Sequence, residues 1–131
     1  MFRLSRKTDY SLRALKHLLT NGEHPSSARE IAQANGIPFE VLAKLLQTLA
    51  RKGLLVSQHG TKGGYSPVRD SGSLTVREVM EAIEGPTLLV TREDSGRKSF
   101  AREGRSHLGT PLSKVQEKVL DVLGRTTLKE I

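Results

Sequence analysis

Residues 27–65 read SAREIAQANGIPFEVLAKLLQTLARKGLLVSQHGTKGGY. Ser27-x-x-Glu30 is a capping box, in which the hydroxyl meets an orphan amide of a helix start and the carboxylate reaches back to the cap. The helix it opens is short and buries Ile31 and Ala32. Asn35-Gly36 supplies residue types that tolerate positive φ, so the chain turns sharply there. Pro38 suits the first turn of a new helix, where its missing N–H costs nothing. Val41, Leu42, Leu45, Leu46 and Leu49 form the apolar stripe of that helix. Glu40, Lys44, Gln47 and Arg51 recur on its open face. Gly53 stops the helix. Leu54-Leu55-Val56 and Tyr65–Val68 then read as two strands around the tip His59-Gly-Thr-Lys-Gly-Gly64. Helix, turn, helix and basic glycine-tipped hairpin is the order of a winged helix-turn-helix, which sets one helix in the major groove of DNA and a hairpin beside it.

The rest of the 131-residue chain extends this reading. Segment 8–20 carries Tyr10, Ala14, Leu15, Leu18 and Leu19 at helical spacing, with Leu12 beside them and Arg13 and Lys16 on the other side. Thr75-x-x-Glu78 is a second capping box. It opens a helix with Val76, Val79, Met80 and Ile83 that ends at Gly85-Pro86 and is expected to pack under the wing, with Met80 in the core. Residues 92–109 are polar, charged and rich in Gly and Ser, which predicts a loop. Thr110-Pro111 starts another helix as cap and first residue. Its Leu112, Val115, Val119 and Val122 follow spacings of three, four and three, and Leu120 and Leu123 widen the stripe. Such a seam is a dimerisation candidate. Thr127-x-x-Glu130 caps a final turn. The expected fold is mainly α with a small β-hairpin: a winged helix-turn-helix domain plus a long C-terminal dimerisation helix.

Charge supports a polyanionic partner. The chain carries 21 Lys+Arg against 14 Asp+Glu, a net +7, and residues 1–65 hold ten basic and four acidic side chains. The second half is close to neutral, which suits a DNA-facing part joined to an assembly or sensing part. Within the stretch, Arg51, Lys44 and Lys62 are candidates for phosphates, and Glu40, Gln47 and Lys44 for base edges. Ser26, Ser27 and the amides at that helix start are candidates to hold a phosphate. The glycines of the tip allow close backbone approach, with Lys62 and His59 adding charge. Arg6, Lys7, Pro38, Phe39, Thr61, Gly63, Gly64 and Tyr65 complete the candidate DNA-contacting set.

Other classes find little purchase. Apolar residues make up 36% of the chain, aromatics are five, and Trp is absent, so an aromatic-walled ligand cavity is not expected. No run approaches the roughly 20 apolar residues of a membrane span. The start, MFRLSRKTDYSLRALKHLL, puts charges inside its apolar pattern and offers no cleavage site, so a cytoplasmic protein is expected. Cysteine is absent, which removes disulfides, thiolate catalysis and cysteine-ligated metal. There is no GxSxG, no GxxxxGK[ST] and no paired His-Glu motif, so the chain does not read as an enzyme. Glu93, Asp94, Glu103 and His107 lack a compact ligand spacing, and His17, His24 and His59 are scattered, so no dedicated metal site is expected. An RNA-binding winged helix is the alternative of another class, disfavoured because only Phe39 and Tyr65 offer stacking near the expected surface.

TDYSLRAL near the start, the helix-turn-helix, GTKGGY, EGP after the fourth helix and PLSKVQEKVLDVL…TTLKEI together resemble the Rrf-type bacterial transcription regulators. The resemblance runs in order over nearly the whole chain. It implies a homodimer on a palindromic operator, with recognition helices in successive major grooves, wings at the minor groove, and pairing through the C-terminal helix (Leu112, Val115, Val119, Val122, Leu123). It divides the chain into a DNA-binding domain, 1–86, a sensing loop of the cluster-binding type, 87–109, and a dimerisation helix with its C-terminal turn, 110–131.

Cluster-binding members of that family carry three cysteines in the loop. The matching positions here are Arg92, Ser99 and Ser106, so this chain as it stands is expected to hold no iron–sulfur cluster, while a cysteine-bearing native form would. Serine at two of the three fits natural loss or deliberate replacement of cysteine. Asp9, in TDY, matches an acidic fourth ligand of some members and reads equally as a first-turn acid favoured by the helix dipole. A naturally cysteine-free form would answer instead to a partner protein or small ligand.

Overall fold

The computed structural model describes residues 5–22, 24–85 and 111–131. Helix α1 spans Arg6–Thr20, α2 Ala28–Asn35 and α3 Phe39–Arg51; strands β1 (Leu55–Gln58) and β2 (Gly64–Pro67) follow, then α4 (Val76–Glu84) and α5 (Pro111–Arg125). Among the described residues the fold is mainly helical with one antiparallel hairpin, as expected. None of these helices is long and apolar enough to cross a membrane.

Helix α1 begins two residues earlier than its apolar pattern predicts, because Ser5 is a cap the pattern does not reveal. Its Oγ accepts from the Thr8 amide at 3.2 Å and donates to the Glu84 carboxylate at the end of α4. Arg6 and Lys7 therefore lie in the first turn of α1. The box at α2 forms as read, with the Glu30 amide donating to Ser27 Oγ at 3.1 Å. Gly36 adopts φ 62°, the left-handed conformation that ends α2. The Arg13 guanidinium donates to the last carbonyl of α2, Asn35 O, at 2.9 Å, tying α1 to the turn.

Three details of the recognition-type helix and wing differ from the sequence reading. Pro38 has ψ 129° and is the cap before α3 rather than its first residue; its carbonyl accepts the Leu42 amide at 3.0 Å. Val41 is 38% exposed, whereas Leu42, Leu45, Leu46 and Leu49 are buried. It stands at the edge of the stripe, lining a shallow groove with Leu45 and Ile83. The strands pair from Leu55↔Pro67 to Gln58↔Gly64, so Gly64 belongs to the ladder and the tip is 59–63. Hydrogen-bond register, which residue type alone does not set, moves these boundaries.

The second capping box also forms, with the Glu78 amide donating to Thr75 Oγ1 at 3.2 Å. Met80 is a core residue, 4% exposed. Helix α4 packs mainly against α1, α3 and α5, not under the hairpin. The reason lies in the chain after α5. Thr127 bridges Thr75, and Leu128 donates its amide to Leu74 O at 2.9 Å. Leu128 is fully buried in the same core cluster as Leu15, Leu46 and Val79, and this return closes over the start of α4. The last turn is held by the Glu130 amide on the Thr127 carbonyl at 3.1 Å, so Thr127 is not a helix cap.

Candidate nucleic-acid interface

Four side chains share the open face of α3. Glu40, Lys44, Gln47 and Arg51 are all exposed, while the opposite face is anchored by fully buried Leu42, Leu46 and Leu49. Burying each such leucine is worth about 1.5–3 kcal/mol, so the face is held rigidly by the core behind it. Arg51 is steadied by Thr48, whose Oγ1 accepts from Nη2 at 3.2 Å and donates to Lys44 O at 3.0 Å. Glu40, Lys44 and Gln47 hydrogen-bond to no described side chain, so their donors and acceptors face solvent. Phe39, 39% exposed, stands at the head of the same helix, next to exposed Pro38.

The hairpin is fastened to this unit by backbone. Ser26 and Tyr65 exchange two hydrogen bonds, Ser26 N to Tyr65 O at 3.1 Å and Tyr65 N to Ser26 O at 2.8 Å. The chain just before α2 thus acts as a short third strand on β2 and fixes where the wing points. His59, Thr61 and Lys62 are exposed at the tip.

This arrangement reassigns several of the residues singled out from sequence. Ser26 is only 4% exposed and its amide is spent on Tyr65, so it is removed from the phosphate-holding set. The Ser27 hydroxyl accepts from the Glu30 amide, and its own hydrogen remains available to an anion beside the first free amides of α2. Gly63 and Gly64 are required by packing. A Cβ on Gly63 would lie 2.3 Å from Gln58 O, and one on Gly64 would lie 2.5 Å from the Ser26 carbonyl. Their missing side chains let the hairpin close and dock. Lys7 lies with Glu40, Val41 and Lys44 along one groove of about 400 Å³, whereas Arg6 is exposed at the start of α1. Arg29, not singled out from sequence, stacks on Phe39; an aromatic at the head of α3 with an arginine ten residues before it was the available signal.

The C-terminal helix presents a different surface. Leu112, Val115 and Val122 are 52%, 48% and 61% exposed, and Val119 is half-buried. Leu123 turns inward and packs against the core, so it leaves the outer row. Ser113 and Gln116 are buried instead.

The residues present do not fit an iron–sulfur cluster. Such clusters are held by thiolates, and the chain has no cysteine. Arg92, Ser99 and Ser106, with the rest of loop 87–109, lie outside the described residues, as do Glu93, Asp94, Glu103, His107, the cap Thr110 and Pro86. Asp9 pairs with Arg13, Oδ2 to Nε 3.3 Å, in the first turn of α1. Among the described residues no three His, Asp or Glu side chains converge as metal ligands.

Comparison with known proteins agrees with the geometry. The profile of the Rrf2 family, described as iron-dependent transcriptional regulators, matches residues 4–131. The chain is 29% identical to protein aau3 of Rhizobium meliloti over 98% of its length and 84% of that protein. It is 28% identical to the transcriptional regulator CymR of Bacillus subtilis over 98% and 88% of the two chains. The structure of CymR, the global cysteine regulator of B. subtilis, superposes with a TM-score of 0.75, covering 99% of this chain and 95% of that one. T. potens IscR superposes with a TM-score of 0.71 at 27% identity, covering 98% and 85%. A helix-turn-helix with its wing stitched in place, matched along nearly its full length by regulators of one kind, makes this chain a member of the Rrf2 family of DNA-binding transcriptional regulators and not an enzyme.

Proposed function

We propose that two copies of this chain bind one palindromic duplex operator and repress transcription from it. Each copy lays the outer face of α3 in a major groove and its hairpin tip against the neighbouring minor groove. The observation that carries this reading is the open row Glu40, Lys44, Gln47 and Arg51, exposed on a helix whose other face is fully buried. Lys44 and Gln47 suit base edges, Arg51 and Lys62 suit phosphates, and Glu40 suits the amino group of cytosine. The apolar row Leu112, Val115, Val119 and Val122 supports pairing of two copies through α5, since a shared seam removes from water what one copy leaves exposed. Without thiolates the protein works free of an iron–sulfur cluster, in the cytoplasm, and its switch is a partner protein or small molecule.

Selection of duplexes from a random pool tests this directly. A palindrome is expected, its half-sites separated by whole helical turns of roughly 10 base pairs, bound by a particle of twice the chain mass in light scattering. A monomer, or tighter binding to structured RNA than to any selected duplex, overturns it. Iron and sulfide assays on anaerobically purified protein address the switch, and stoichiometric cluster would refute the cluster-free reading.

A further inference from the structure

Among the described residues two arginines lie over aromatic rings, and they differ in what their N–H groups do. Arg13 lies 5.1 Å from the Tyr10 ring centre, with Nε paired to Asp9 at 3.3 Å and Nη1 donating to Asn35 O at 2.9 Å. Its charge is consumed in joining α1 to α2. Arg29 lies closer to its ring, 4.5 Å from the centre of Phe39, and makes no hydrogen bond or ion pair with any described residue. Its sequence neighbour Glu30 is committed to the capping box with Ser27, so that carboxylate is engaged. Both Arg29 and Phe39 are exposed.

We propose that Arg29 is a further DNA contact, a phosphate clamp held over the Phe39 ring where α2 and α3 both begin. The inference rests on the DNA-binding reading above. Stacking occupies only the face of the guanidinium; its N–H donors lie in the plane and remain free for the bidentate geometry that phosphate oxygens accept. The ring also restricts the side chain before DNA arrives, so less rotamer freedom is lost on binding. Position selects phosphate over base. Arg29 is in the first turn of α2, the helix that crosses the backbone in helix-turn-helix docking while the next helix enters the groove.

The test uses the full chain, a selected duplex and a scrambled duplex, with fluorescence anisotropy read across a salt series and thermal melting as a check on folding. Arg29→Ala should weaken both duplexes by the same factor, on the order of tenfold, and lower the log–log salt slope by about 0.9. Arg29→Lys should restore the slope and only part of the affinity. Phe39→Leu should weaken the wild-type chain by a larger factor than it weakens the Arg29→Ala chain, which is the signature of one residue acting partly through the other. Unchanged affinity and slope for Arg29→Ala overturn the proposal. Loss confined to the selected duplex overturns the phosphate assignment, and additive losses overturn the role of Phe39. A wild-type chain that binds no duplex at all overturns the DNA reading itself, a separate and distinguishable result.

Discussion

Helix α3 buries Leu42, Leu45, Leu46 and Leu49 and leaves Glu40, Lys44, Gln47 and Arg51 in solvent, whereas the first half of α5 buries Ser113 and Gln116 and leaves Leu112 and Val115 exposed. Both helices are amphipathic, and the second wears its pattern inside out. A polar outer face on a rigid helix is indifferent to water and needs no partner to be stable. An apolar outer row on a helix with polar residues beneath it gains free energy only when something apolar covers it. On the proposed function the two surfaces take different partners: DNA at α3 and a second apolar face at α5.

The largest expected effect breaks the comparison at α5. Val115→Asp with Val122→Asp should leave the thermal melt of the monomer nearly unchanged, because both side chains are about half exposed or more. Operator affinity should fall by roughly 10²-fold or more, the avidity lost when two linked reading heads become independent. A double variant that stays dimeric in light scattering would show that this row is not the seam. By contrast, Leu46→Ala on the inner face of α3 should cost about 2–5 kcal/mol of folding stability in denaturant titration.

A second pair of variants sharpens the comparison through glycine. In Gly64→Ala the new methyl group meets the Ser26 carbonyl at 2.5 Å, so the wing must detach from the chain before α2. About 1–3 kcal/mol of stability should be lost, together with hairpin-dependent DNA affinity. Gly124→Ala in α5 meets, among the described residues, only Arg77 Cδ at 3.6 Å and should stabilise by about 0.5–1 kcal/mol, the helix-propensity gain. Equal effects at the two sites would sink the packing explanation of Gly64.

The smallest effects separate reading from grip within the polar region. Lys44→Ala should cost about 1–3 kcal/mol on the operator and less on random DNA. Lys62→Ala should weaken both duplexes alike and reduce the salt slope by about one contact. Matching losses for Lys44→Ala on both duplexes would reduce that residue to a phosphate contact.

Much of the fold and the α3 face was legible because the signals are local. A capping box needs four consecutive residues, a left-handed turn needs one glycine, and an amphipathic stripe needs one helix. The two capping boxes, the Gly36 turn and the exposed Glu40–Arg51 row all form as their spacing predicts. What was not legible involves partners distant in the chain. Leu128 is a fully buried core residue in a stretch whose sequence reads only as a capped final turn. Ser26 looks like a phosphate ligand until its amide is found on Tyr65. Arg29 carries only the weak signal of an aromatic ten residues on, and the approach of Phe39 is what makes it notable.

By itself, then, the sequence determined the elements, their order, the charge-bearing face of α3 and the absence of any thiolate, since each follows from near neighbours or from composition. Tertiary structure alone decided which glycines are obligatory, where the wing is anchored, that α4 is closed by the return of Leu128 rather than covered by the hairpin, and that α5 turns Leu123 inward while keeping Val115 and Val122 out. Those outcomes depend on contacts between segments far apart in the chain. Local pattern offers a helix several faces to bury, and only the shape of the remaining core selects one.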